Sequence, residues 1–140
     1  MEMSRAVELL RSDRRGVLVT QRSDARPQLS NIVYTVDPEG VLRISVTNGR
    51  AKTANLRRTP HASLYHGRED FGAYVVVDAD VTLTAVAASP DDATVDELVA
   101  NYRSLAGEHP DWDEYRRAMV SDRRLIVRLH PTRAYGMWDD

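Results

Sequence analysis

The chain has 140 residues and a formal net charge of −2, which is about one domain's length with an ordinary globular composition. With no global basic field, general nucleic-acid binding is disfavoured, and with no cysteine there are no disulfides, thiol nucleophiles or thiolate metal sites. No apolar run approaches the ~18 residues of a membrane-spanning helix, and Met1 to Arg5 lacks a signal-peptide pattern, so a cytoplasmic protein is expected.

Residues 3–12 read as a first helix, with Ser4 as a cap and Ala6, Leu9 and Leu10 at helical spacing. Gly16 to Thr20 reads as a strand, and Ser23-Asp24-Ala25 as turn material. Pro27 to Val36 is a second strand, Asp37-Pro38-Glu39-Gly40 a turn, and the alternating Val41 to Thr47 a third strand. Joined by short turns, these three suggest a meander. A short helix follows, capped by Asn48 and running to Arg58, where Thr59 before Pro60 ends it. His61 to His66 is a fourth strand, and the β-branched run Tyr74 to Thr84 a long fifth.

Ser89-Pro90-Asp91-Asp92 opens a helix, with Ser89 as its cap and Pro90 in the first turn, whose apolar face is Val95, Leu98, Val99, Tyr102 and Leu105, with Gly107 as its stop. Asp111-Trp112-Asp113-Glu114 resembles a capping box, with Trp112, Tyr115 and Met119 as the stripe behind it. Ser121 to Leu129 and Thr132 to Trp138 return to strand. Strands and helices do not alternate, so a doubly wound sheet is excluded. The expected architecture is α+β and mainly β: an antiparallel barrel with helices at its ends, one domain over residues 1–140.

Several chemistries are absent as motifs. There is no glycine-rich nucleotide fingerprint after a strand, no phosphate-binding Walker loop and no serine elbow. His61 and His66 are five apart on a strand and face opposite sides, which argues against a shared metal; no metal site is expected. The pairs Asp91/Asp92 and Asp139/Asp140 read as a helix start and a solvated tail. What remains is an anion site. Arg50, Lys52 and Thr53 crowd the first turn of a helix, where free N–H groups and the dipole favour negative charge. The alternative is a solvated basic helix. Lys52 is the only lysine beside eighteen arginines, so either a compact ammonium is needed there or one lysine survived by chance. Arg26 to Val33 is the second feature: Gln28, Ser30 and Asn31 place donors and acceptors on a strand, suited to the edge of a flat heterocycle or simply to a half-exposed strand.

These residues carry a likeness. Arg26-Pro27-Gln28-Leu29-Ser30-Asn31, paired with Arg50-Ala51-Lys52-Thr53-x-Asn55-Leu56-Arg57-Arg58-x-Pro60, resembles the pyridoxamine 5′-phosphate oxidase-like superfamily, most of all the actinobacterial branch that uses the deazaflavin coenzyme F420. The likeness continues through Ser89 to Asp92, Tyr102 to Trp112, Met119 to Arg124 and Tyr135-Gly136. It implies a split β-barrel that forms a homodimer with cofactor sites at the subunit interface. F420, or alternatively FMN, would be the cofactor. The implied cofactor residues are Arg26, Gln28, Ser30, Asn31 and Val33 along the ring, with Arg50, Ala51, Lys52, Thr53 and Asn55 at the phosphate. Arg26 and Lys52 are also implied to meet the acidic oligoglutamate tail of F420, for which Arg57 and Arg58 suit a basic rim. Phe71 to Tyr74, Met137 and Trp138 are implied to reach the partner's site. The chain ends at Asp140 without the C-terminal Arg/His segment of true pyridoxamine phosphate oxidases, so vitamin oxidation is not expected.

The expected function is therefore hydride transfer between the deazaflavin and a small conjugated acceptor, with no side chain marked as a general acid. An FMN oxidoreductase, a coenzyme-storage protein without turnover, and a tetrapyrrole-binding module are the alternatives.

Overall fold

In the computed structural model, which describes residues 1–139, alternation decides where each strand buries its apolar residues. Leu42, Ile44 and Val46 of β4 (Leu42–Thr47) point into one core, while Arg43, Ser45 and Thr47 point out. The same period places Val75, Val77, Ala79 and Val81 of β6 (Tyr74–Leu83) inside. Asp140 and its share of the acidic tail lie outside the described residues.

The remaining elements are α1 (Met3–Arg11), β1 (Arg15–Gln21), β2 (Pro27–Val33), β3 (Thr35–Val36), α2 (Ala51–Arg58), β5 (His61–Gly67), α3 (Ala93–Ala106), α4 (Trp112–Ser121) and β7 (Arg124–Met137). All pairings are antiparallel, in the order β2-β1-β5-β6-β7-β4-β3. The two edge strands β2 and β3 are consecutive in the chain and separated only by Tyr34. The sheet therefore curls until its edges meet at that residue, which makes a split barrel.

This order corrects the meander. β4 pairs with β7 and β3, not with β2, and the expected second strand breaks at Tyr34. Tyr34 is fully buried, its backbone N–H donates to the Arg14 carbonyl and its hydroxyl donates to the Leu10 carbonyl at 2.8 Å. Holding that ring in the core turns the chain from one edge of the sheet to the other. Burial, then Asp13, pushes the phenol's pKa up, so it remains a donor. Tyr34→Phe should cost about 1 kcal/mol in urea unfolding, the usual value of one buried hydrogen bond.

Three further boundaries differ from expectation. The two C-terminal strands are one 14-residue strand, β7, with a register shift opposite Asp78/Ala79 that absorbs Thr132. α3 starts at Ala93 because Asp92, not Ser89, accepts the Val95 N–H. The first helix is preceded by Glu2 rather than capped by Ser4. Asp111 does cap α4, accepting the Glu114 N–H.

Two cores result. The first fills the barrel and takes Ala6, Leu9 and Leu10 from α1 and Leu56 from α2. The second lies outside the barrel, where Val95, Leu98, Val99 and Met119 of α3 and α4 cover Ile126. α1 closes the barrel end near Tyr34 and Val36, and α2 closes the end near Thr47 and Gln21. No helix among the described residues is long and apolar enough to cross a membrane.

Candidate functional site

Backbone pairing determines what the split exposes. Arg22 N–H donates to the Arg26 carbonyl and Tyr34 N–H to the Arg14 carbonyl, which fixes the phase of the β1–β2 ladder. In that phase Gln28, Ser30 and Ile32 bond to β1, and Leu29, Asn31 and Val33 turn their N–H and C=O groups to the free edge. Asn48 N–H donates to the Arg123 carbonyl, so Ser45 and Thr47 of β4 likewise turn theirs away from β7. β3 pairs only with Leu42 and Arg43. Beyond Tyr34, then, two strand edges bound the split with no ladder joining them.

α2 closes one end of this split. Thr53 donates its hydroxyl to the Thr47 carbonyl at 2.9 Å, which ties the helix start to β4. Asn55 Nδ2 donates to Thr20 Oγ1 at 3.1 Å and Arg58 Nη2 to the Gln21 carbonyl at 3.1 Å, which ties the rest to β1. Thr20 is the register partner of Gln28, so the helix runs from the end of β4 to the level where β2 begins.

The N-cap position is Arg50, in extended geometry and without a side-chain cap bond; Asn48, expected there, instead accepts from Arg57 at 2.8 Å. The N–H groups of Ala51 and Lys52 have no acceptor among the described residues. Lys52 is half-buried and in no ion pair among the described residues. Burial, then the Arg50 and Arg124 charges, pushes its ammonium below the usual lysine range. Arg50 and Arg26 are exposed, and their guanidinium groups are also unpaired among the described residues.

The ten expected site residues therefore divide. Arg50, Ala51 and Lys52 share the open turn. Thr53 and Asn55 sit beside it, buried, with their side chains engaged in the fold. Gln28 and Ser30 face inward and Asn31 and Val33 outward, and the polar side chains of Gln28, Ser30 and Asn31 have no hydrogen-bond partner among the described residues. Arg26 lies just before β2, at the other border of the split. Sequence reasoning missed Arg124, which faces Thr47 across the β4–β7 ladder. Its Nε is buried without a partner. Only the pairing register reveals this neighbour.

The outer face of β2, β1, β5, β6 and the second half of β7 carries no helix. Asn31, Val17, Tyr65, Val76 and Tyr135 form one cross-strand row on it. Leu29, Val33, Phe71 and Met137 are 60%, 50%, 86% and 69% exposed, an unusual group of apolar side chains to leave in water. Two grooves of about 530 and 520 Å³ cross this face, and neither reaches Lys52. Trp138 stacks on His66 within its own chain at 5.9 Å. His61 is exposed on the outer face and His66 buried on the inner one. No three His, Asp or Glu side chains among the described residues group as metal ligands.

The family model for pyridoxamine 5′-phosphate oxidase matches residues 3–138. The chain belongs to the pyridoxamine 5′-phosphate oxidase family. Solved structures share the split-barrel fold. The conserved hypothetical protein Rv2991 from Mycobacterium tuberculosis superposes with a TM-score of 0.75 at 19% identity, over 98% of this chain and 84% of that one. A structure described as an F420 reductase gives 0.66 at 24% identity, over 91% and 94%. HutZ, the heme storage protein from Vibrio cholerae, gives 0.69 at 16% identity, over 98% and 96%. At these identities the likeness concerns the fold, and within the family the residues of the split carry the functional argument.

Proposed function

We propose that the protein is an F420-dependent oxidoreductase that works as a homodimer and holds the coenzyme in the split between β2 and β4. One observation carries this reading: an open helix start with unpaired Arg50 and Lys52 lies at one end of two strand edges with unpaired backbone groups. A phosphate suits the first and the edge of a flat ring suits the second. The donors present fit such a molecule, since the N–H groups of Ala51 and Lys52 and the polar side chains of Gln28, Ser30 and Asn31 have no partner among the described residues.

Lys52 and Arg50 bind the phosphate. Thr53 locks the turn onto Thr47 so that the N–H groups hold their direction. Leu29, Asn31 and Val33 fix the ring plane through backbone bonds, and Gln28 and Ser30 approach it from inside the barrel. When bound, the deazaflavin supplies the hydride from its C5 position. A second copy packed on the exposed face would cover Leu29, Val33, Tyr135 and Met137 and exclude water from the ring's open side. Acceptors are flat conjugated molecules, and the proton comes from solvent or from a tyrosine or arginine near the ring's open face.

Lys52→Ala should weaken F420 binding by about 1.5–3 kcal/mol, the loss expected for a charge-assisted phosphate contact, while the thermal midpoint stays nearly constant. Unchanged binding would remove the phosphate assignment. Turnover separates an enzyme from a carrier: reduced F420 should be oxidised by at least one conjugated acceptor, seen as absorbance rising near ~420 nm. Tight binding without turnover across such a panel would favour storage. An FMN enzyme is the second reading, favoured by the family membership itself.

A further inference from the structure

We infer that Arg124 is a third cationic ligand of the anion site at the start of α2, and that the site therefore takes a group with at least two negative charges. This rests on the phosphate reading above and sharpens it. The fold otherwise pairs many of its arginines: Arg43 with Asp37 and Glu97, Arg68 with Asp70, Arg103 with Glu108, Arg116 with Asp96 and Arg128 with Glu97. Arg50, Lys52 and Arg124 have no carboxylate partner among the described residues.

Geometry brings Arg124 to the turn. It is the register partner of Thr47, whose carbonyl accepts from both Arg50 N–H and Thr53 Oγ1. Its Nη1 reaches only Ser45 Oγ, at a long 3.4 Å. Its Nε is buried with no acceptor, a state that folded proteins rarely leave uncompensated. Solvent does not satisfy that group, whereas an anion on the Ala51–Lys52 N–H groups would give the guanidinium something to turn towards. The charge of Arg124 also contributes to destabilising the Lys52 ammonium in the free protein, and a ligand with two or more negative charges relieves that repulsion. A phosphate monoester, as in FMN, has this charge. So does a phosphodiester followed by carboxylates, as in F420.

The test titrates wild type, Arg124→Gln and Arg124→Lys with two ligand pairs: F420 against its phosphate-free deazariboflavin chromophore, and FMN against riboflavin. Arg124→Gln should weaken the phosphorylated member of whichever pair binds by about tenfold and leave the phosphate-free member within about twofold, with Arg124→Lys between. Equal loss on both members, or no loss on either, overturns the inference. Lys52→Ala separates the two levels. If it weakens the phosphorylated ligand selectively and Arg124→Gln does not, only the role of Arg124 fails; if neither does, the phosphate site fails with it. Should no flavin or deazaflavin bind, inorganic pyrophosphate replaces them in a thermal shift. A rise in wild type that is absent in Arg124→Gln sustains the inference, and any other pattern overturns it. If Arg124→Gln does not fold, Arg124→Lys carries the comparison.

Discussion

Gly136→Ala should cost about 4 kcal/mol of folding stability, combining backbone strain with forced repacking. Gly136 has φ +153 in β7, where it faces Val75 of β6. A Cβ there would sit 2.3 Å from the Tyr74 carbonyl oxygen and 3.0 Å from Val75 Cα. Both are backbone atoms of a central strand, so nothing can rotate aside. The two strands must separate locally, and the residues beside the glycine are Tyr135 and Met137 of the exposed apolar face. A fall of roughly 15 °C in thermal midpoint is expected for a chain of this size. A midpoint within a degree or two of wild type would show that β6 and β7 are not in this register.

Glu97→Ala should cost about 2 kcal/mol, less than a fully buried pair because both arginines keep some access to water. Glu97 on α3 accepts from Arg128 Nε at 2.9 Å and Nη2 at 2.5 Å, and from Arg43 Nε at 3.0 Å. Arg43 also donates to Asp37 Oδ2 at 2.6 Å. The cluster joins α3 to β4, β7 and the turn after β3. Hydrogen bonds from Arg128, opposed by burial and reinforced by Arg43, hold the Glu97 carboxyl below its usual range. For Asp37 burial acts upward, and the Arg43 and Val41 bonds outweigh it. Folded pKa values below the unfolded ones add stability above the unfolded carboxylate pKa, about 4, and that stability is lost as pH falls through the folded values. Urea unfolding should therefore show wild type weakening steeply below about pH 4 and Glu97→Ala weakening less. Parallel curves would mean that the cluster is not the acid-sensitive element.

Much of the fold was legible in the sequence because its signals are local. The alternation in Val41 to Thr47, the cap at Asp111 and the Thr59-Pro60 stop act within a few residues. Sheet order was not legible, because which edges pair depends on the burial of Tyr34 and on long-range packing. Read alone, Pro27 to Val36 looks continuous, and only the core shows why it must break. The site divides in the same way. Arg50 and Lys52 stand out because a helix start is a sequence feature, whereas Thr53 and Asn55 look like ligands in sequence and are bonded inside the fold. Arg124 comes beside the turn only through the pairing of two strands 77 residues apart at that point, and nothing near it in the chain announces that placement.

The claim that the split between β2 and β4 holds a phosphorylated deazaflavin is tested most directly by fluorescence titration with F420 and FMN side by side. Saturable binding of F420 at one equivalent per chain is expected, tighter than FMN and weakened at least about tenfold by Lys52→Ala. Saturable binding of neither cofactor, or F420 binding indifferent to Lys52, would contradict it.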